Sequence, residues 1–203
     1  MVPHDGTSRS PRPSRRRLLA TSGAGIAAVL AGCGGLRAQT LSRPETEAEE
    51  TETHLVYRDD GDRLATVSLL ERFRDEPRTP YGIRLHVWHR EGTRFEEVRY
   101  ELRPIGVGRP PEFSLTRPGG SSWEPIRFSA GEDPETTVLA VSDLGFRSRG
   151  SVTFDLLVEP RDEDPFDLRL DVDATLESER TLGPTYALEG SLVHTLPGTD
   201  DLD

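Results

Sequence analysis

From about Thr53 onward, apolar residues recur at every second position, the spacing of a strand with one face turned to a core. Leu55 and Tyr57 alternate with His54, Val56 and Arg58, and Ala65, Val67 and Leu69 continue beyond the turn signal Asp59-Asp60-Gly61-Asp62, which predicts a hairpin. Leu69 to Phe73 also carries an i, i+4 apolar pair, but the β-branched residues before it favour strand. Ile83, Leu85 and Val87 alternate with Arg84, His86 and Trp88, and Val98, Tyr100 and Leu102 return after a turn at Glu91-Gly92. Phe95 is out of step with that return strand by one residue, which predicts a bulge near Glu96-Glu97.

Brief apolar runs follow at Phe113 and Leu115 and at Ile126 and Phe128. Val138 to Val141 is apolar on both faces, as a central strand would be. Val152, Phe154, Leu156 and Val158 alternate again. The cleanest pattern sets Leu168, Leu170, Val172, Ala174 and Leu176 against Asp167, Arg169, Asp171, Asp173 and Thr175, so one face is core and the other water. A last strand covers about Tyr186 to His194. These segments amount to roughly eight or nine strands, with no convincing helix of ten residues or more. They predict an all-β fold over residues 53–196, an antiparallel β-sandwich of immunoglobulin-like kind, with a closed β-barrel as the alternative.

The flanks lack this alternation. Residues 33–52, running through Arg43-Pro44-Glu45-Thr46-Glu47-Ala48-Glu49-Glu50-Thr51-Glu52, are polar and acidic without an apolar face. They read as a disordered, self-repelling linker that spaces the domain from whatever holds its N-terminus. Residues 197–203 read as an acidic tail. Residues 1–32 read as an export signal. Arg9, Arg12, Arg15, Arg16 and Arg17 are offset only by Asp5, and a weakly apolar stretch runs from Leu18 to Ala31. As a helix those fourteen residues would reach about 21 Å, short of the roughly 30 Å hydrocarbon core, which suits a signal better than a membrane span.

Ser14-Arg15-Arg16-Arg17-Leu18-Leu19, with Arg15 and Arg16 as the pair, resembles a twin-arginine signal, which implies export of an already folded protein. Leu30-Ala31-Gly32-Cys33 resembles a lipobox, which implies cleavage before Cys33 and a lipid on that residue. One acyl chain binds a membrane only marginally, so stable anchoring needs two chains or a second membrane contact. Cys33 is the single cysteine of the chain. No intramolecular disulfide is available, and the core must hold by packing.

Charge narrows the partners. The chain carries 25 basic and 36 acidic residues, a net charge of -11. Without residues 1–32 the counts become 20 and 35, a net charge of -15. Such a balance argues against nucleic acid, which needs a basic patch, and against electrostatic docking on anionic lipid heads. Every basic residue is arginine, because there is no lysine. An acidic, lysine-free surface resembles that of proteins from extremely halophilic archaea. Signal, lipobox and β-rich body together resemble small haloarchaeal lipoproteins exported by the twin-arginine route. That resemblance implies a cell-membrane anchor and an outward-facing domain.

Candidate chemistry is sparse. His86 and His89 in His86-Val87-Trp88-His89 look like a metal pair, but on a strand positions i and i+3 point to opposite faces. Asp162-Glu163-Asp164 with Asp167 offers oxygen ligands for calcium without the spacing of a calcium-binding loop. There is no G-x-S-x-G elbow, and Gly119-Gly120-Ser121-Ser122 lacks the lysine of a phosphate loop. No cofactor is implied. Trp88 and Trp123 are the candidate partner-binding aromatics. The reading is a non-catalytic binding or structural module whose partner is an envelope protein or a small solute. The alternative is an extracellular hydrolase or metal-binding protein, which requires His86 or His89 to converge with carboxylates such as Asp162 or Asp164.

Overall fold

The structure is a computed structural model that describes residues 38–72, 79–116, 126–142 and 150–202. Among these residues the chain forms twelve strands: β1 (Ala38–Leu41), β2 (Glu45–Ala48), β3 (Glu52–Asp59), β4 (Asp62–Arg72), β5 (Tyr81–His89), β6 (Thr93–Ile105), β7 (Glu112–Leu115), β8 (Ile126–Ala130), β9 (Thr137–Ser142), β10 (Ser151–Glu159), β11 (Phe166–Ser178) and β12 (Thr185–Leu196). A single 3-10 turn, Asp200–Leu202, follows them. The first sheet has the order β1-β12-β11-β6-β9-β8 and the second β2-β3-β4-β5-β10-β7. Each sheet has two free edges, so the fold is a two-sheet β-sandwich and not a closed barrel. Neighbours are antiparallel except β1, which runs parallel to β12.

The period-two patterns become the two inner faces. On β11, Leu168, Leu170, Val172, Ala174 and Leu176 are all buried, while Asp167, Arg169 and Asp173 between them are exposed. Leu55, Tyr57, Val67, Leu69, Ile83, Leu85, Phe154 and Leu156 of the second sheet pack into the same cluster. The turn after β3 is tight: Asp60 and Gly61 have φ of 51° and 88°, the left-handed pair that a two-residue hairpin matched to strand twist requires. The bulge expected near Glu96 is present. Phe95 pairs with Leu176 and Glu97 with Thr175, leaving Glu96 as the extra residue. Phe95 and Val98 thereby both reach the core.

Two readings of the flanks are corrected. Residues 38–41 and 45–48 belong to the sandwich and are not linker. A polar strand can sit at a sheet edge because its ladder uses backbone groups, and β2 is exposed along its whole length. The acidic run does not simply repel itself, since Glu45 lies 3.0 Å from Arg58 of the neighbouring β3 and Glu47 3.9 Å from Arg63 of β4 beyond it. Leu41 packs against the core. Nor are residues 197–202 a loose tail. Leu202 joins the core, Thr199 donates its N–H to Asp162 O at 3.0 Å, and Tyr81 donates to Pro197 O at 3.2 Å.

One polar cluster lies between the sheets. His194 of β12 has Nδ1 2.9 Å from Thr53 Oγ1 and Nε2 2.8 Å from Glu71 Oε1. The imidazole thus hydrogen-bonds through both ring nitrogens, one to the Glu71 carboxylate and one to the Thr53 hydroxyl. His194 is 6% exposed and Thr53 3%, so the cluster ties β12 to β3 and β4 away from solvent.

Two outcomes follow for chemical denaturation. A Cβ added at Gly190 would lie 2.6 Å from Tyr57 Oη and 2.9 Å from Pro44 Cγ, so Gly190→Ala should destabilise the fold by about 1–3 kcal/mol. His194→Ala leaves the half-buried Glu71 carboxylate and the buried Thr53 hydroxyl without their partner and should cost about 1–3 kcal/mol. The double variant with Glu71→Ala should cost less than the sum of the single changes.

Candidate functional site

The outer face of the second sheet is uneven, and its shape follows from residue size at each register position. One row across the strands reads Glu47 (β2), His54 (β3), Ser68 (β4), His86 (β5). The next reads Glu45, Val56, Thr66, Trp88. β4 contributes the short side chains of both rows, and the strands beside it contribute long or aromatic ones. The result is a trough of about 380 Å³ along β4. Thr66 and Ser68 form its floor, Glu47 and His54 one wall, His86 and Trp88 the other, and Arg63 and Glu52 also line it. Its depth shows in the floor: Ser68 is only 2% exposed and Thr66 8%, although both point away from the core. Trp88 is half-buried.

Glu52, His54 and Ser68 together superficially resemble a nucleophile with its base and orienting acid. Their geometry does not support that role. His54 Nδ1 lies 2.7 Å from Ser68 Oγ and 3.2 Å from Glu52 Oε1, so one ring nitrogen meets both partners. A proton relay needs the hydroxyl on one nitrogen and the carboxylate on the other. Ser68 is moreover almost wholly buried. His86 has its pKa lowered, first by desolvation and further by Arg84 and His54, with Glu52 opposing. Its ring is therefore neutral near pH 7 and can both donate and accept.

The strand separates the two histidines of the expected pair. His86 faces the trough, whereas His89 faces inward, 1% exposed and edge-on to Phe95 at 5.3 Å. His89 Nδ1 sits 3.2 Å from Thr93 Oγ1, and desolvation lowers the ring's pKa against opposing backbone hydrogen bonds and Glu179. The acidic cluster is elsewhere and otherwise engaged. Asp162 accepts from Gly108 N at 2.6 Å, Arg109 N at 3.0 Å and Arg109 Nε at 3.2 Å. Those bonds, the Arg109 backbone one first, hold its carboxyl below the usual range. Asp167 accepts from Thr195 Oγ1 at 2.7 Å. Asp162 and Asp164 line a second depression of about 340 Å³ with Gly106 to Arg109, which includes no histidine.

Hence His86 and His89 do not meet Asp162 or Asp164. β5 and β10 are antiparallel, with Tyr81 beside Val158 and Trp88 beside Ser151, which puts the histidines and the acidic loop at opposite ends of those strands. Among the described residues no group of three or more His, Cys, Asp or Glu is placed to hold a metal ion. Of the expected site residues, the structure places Trp88 in the trough. Trp123, Cys33, Arg15 and Arg16 lie outside the described residues. Sequence reasoning missed His54, Arg63, Thr66, Ser68, Glu47 and Glu52. The alternation carries a signal for His54, Thr66 and Ser68, which sit at non-core positions, but not for Arg63, which has the parity of the core residues of β4 and lies beside a register shift; only strand pairing brings them together.

No helix among the described residues is long and apolar enough to cross a membrane. No curated protein matches the chain. Two solved structures show loose likeness. The human F-spondin reeler domain is 13% identical over 64% of this chain and 86% of its own, with a TM-score of 0.36. The collagen adhesin (CNA) from S. aureus is 6% identical over 80% of this chain and 98% of its own, with a TM-score of 0.31. Neither superposition is tight enough to bear on function. A family model described as "Domain of unknown function (DUF8121)" matches residues 38–198, beginning at the first residue of β1 and ending just past β12. The chain belongs to the DUF8121 family of domains of unknown function.

Proposed function

We propose that this protein is a non-catalytic binding module, held on the outer face of the cell membrane of a haloarchaeal envelope by a lipid on Cys33. The observation that carries the binding role is the trough on the second sheet, a preformed concavity with an aromatic wall and polar groups around it. Its histidine and serine lack relay geometry. The anchor rests on the twin-arginine and lipobox segments, Arg15-Arg16 and Leu30 to Cys33.

Fractionation of cells making the full chain tests the reading. The native protein should sediment with membranes, Cys33→Ser should leave them, and replacing Arg15 and Arg16 with lysine should stop export. Equal membrane retention of native and Cys33→Ser protein would remove the anchor. A hydrolytic activity of the purified protein that disappears in Ser68→Ala would overturn the non-catalytic assignment.

A further inference from the structure

We infer that the trough binds neutral carbohydrate, with the Trp88 indole as the stacking surface for a pyranose ring. This rests on the reading of the domain as a binding module and names the ligand class of that same site.

Shape sets the size of the ligand. From the row of Thr66 and Trp88 to the row in which the lining residue Glu52 pairs with Leu70 is four residues along β4, roughly 13 Å at about 3.3 Å per residue. A volume of about 380 Å³ lies near the lower end of the usual range for small-molecule pockets. That accommodates one or two sugar rings. The trough lies on a sheet face, so a longer glycan can continue past either end.

Polarity sets the class. A pyranose has an apolar C–H face, which suits an aromatic wall, and a rim of hydroxyls that each donate and accept. The trough offers that mixture. Arg63 donates, Glu47 and Glu52 accept, and the neutral His86 ring does both. Among the described residues neither His86 nor Trp88 Nε1 has a hydrogen-bond partner. Thr66 Oγ1, on the floor in a residue only 8% exposed, also has none. Thr66 Oγ1 itself has almost no accessible surface, so it is the half-buried His86 ring and Trp88 Nε1 that can meet sugar hydroxyls.

Charge narrows the class. The lining sets the Glu47 and Glu52 carboxylates against the single guanidinium of Arg63, which lies 3.9 Å from Glu47. That negative balance disfavours an anionic ligand. A neutral, hydroxyl-rich ligand with an apolar face suits the polar rim and the aromatic wall.

Saturation-transfer NMR and calorimetry on the full chain, purified from membranes in a detergent without a sugar headgroup, test this. The probes are neutral hexoses, N-acetylhexosamines and their disaccharides, set against glucuronate and a hexose sulfate. At least one neutral sugar should bind, with its ring C–H protons most strongly saturated. Trp88→Ala should weaken it about tenfold or more and Trp88→Phe less. Arg63→Ala and Glu47→Gln, at side chains 47% and 49% exposed, should weaken it severalfold without lowering the thermal midpoint, which separates lost contacts from lost folding. Absence of binding by every neutral sugar, preference for the charged ones, or affinity unchanged in both Trp88→Ala and Arg63→Ala would each overturn the assignment. Cys33→Ser protein should bind the same sugars equally well. A failed sugar site leaves the fractionation result standing, and a failed anchor leaves the sugar titration standing.

Discussion

The domain depends on two inner faces being apolar at the same time and closing on each other. All the strands but the exposed β2 place residues in or against one buried layer, in which residues from β3 to β6 and from β9 to β12 interdigitate. With one cysteine in the chain, no covalent bridge can restrain the unfolded state, and burial of apolar surface must outweigh the ordering of the chain. This explains the strictness of the alternation in β5, β10 and β11, where each slip by one residue would exchange core and solvent faces. It also explains the bulge at Glu96, which restores the phase of β6 so that both Phe95 and Val98 stay inside. The cluster of Thr53, His194 and Glu71 is a fully partnered polar group in that layer. Because every member has a partner, it pins β12 to β3 and β4 in one register and does not loosen the core.

The two outer faces solve the same solvent problem differently. On the first sheet long charged side chains stand clear of the surface and pair along it, as Arg94 with Glu177 and Arg169 with Asp171 do. Such exposed pairs contribute little stability and are weakened by salt; their main effect is solvation of a flat face. On the second sheet the short residues Thr66 and Ser68 sit between His54 and the β5 pair His86 and Trp88, and the face is hollowed. A concave, partly apolar surface is what separates a binding face from a merely solvated one, and among the described residues the second sheet carries such a surface. At the edge beside the trough, β2 carries glutamates that meet arginines of β3 and β4. That charge also protects an exposed edge strand from pairing with other chains.

Much of the fold was legible in the alternation. The hairpin at Asp59 to Asp62, the bulge at Glu96 and the single-faced pattern of β11 were all visible because each depends on neighbours in sequence. β1 and β2 were not, because an edge strand of Gln39, Thr40, Glu45 and Glu47 is held by backbone pairing and carries no hydrophobic period. The packing of Leu202 was hidden for a related reason: one apolar residue in an acidic segment has no pattern. For the candidate site, Trp88 was visible as an aromatic at an outward position. Its companions were visible only as polar residues that the alternation keeps out of the core.

The sequence by itself determined the fold class and the direction in which each core residue of the main strands points, and its first 33 residues offer only a resemblance to export and lipidation signals. These are properties of local period and local motif. Only the tertiary structure decided that β12 receives β1 in parallel, that His194 finds Thr53 and Glu71 more than a hundred residues away, and that Glu47, His54, Ser68 and His86 form one row. Strand order and register are choices among long-range pairings of nearly interchangeable alternating segments. The choice is made by the packing of the whole layer, which no single segment encodes.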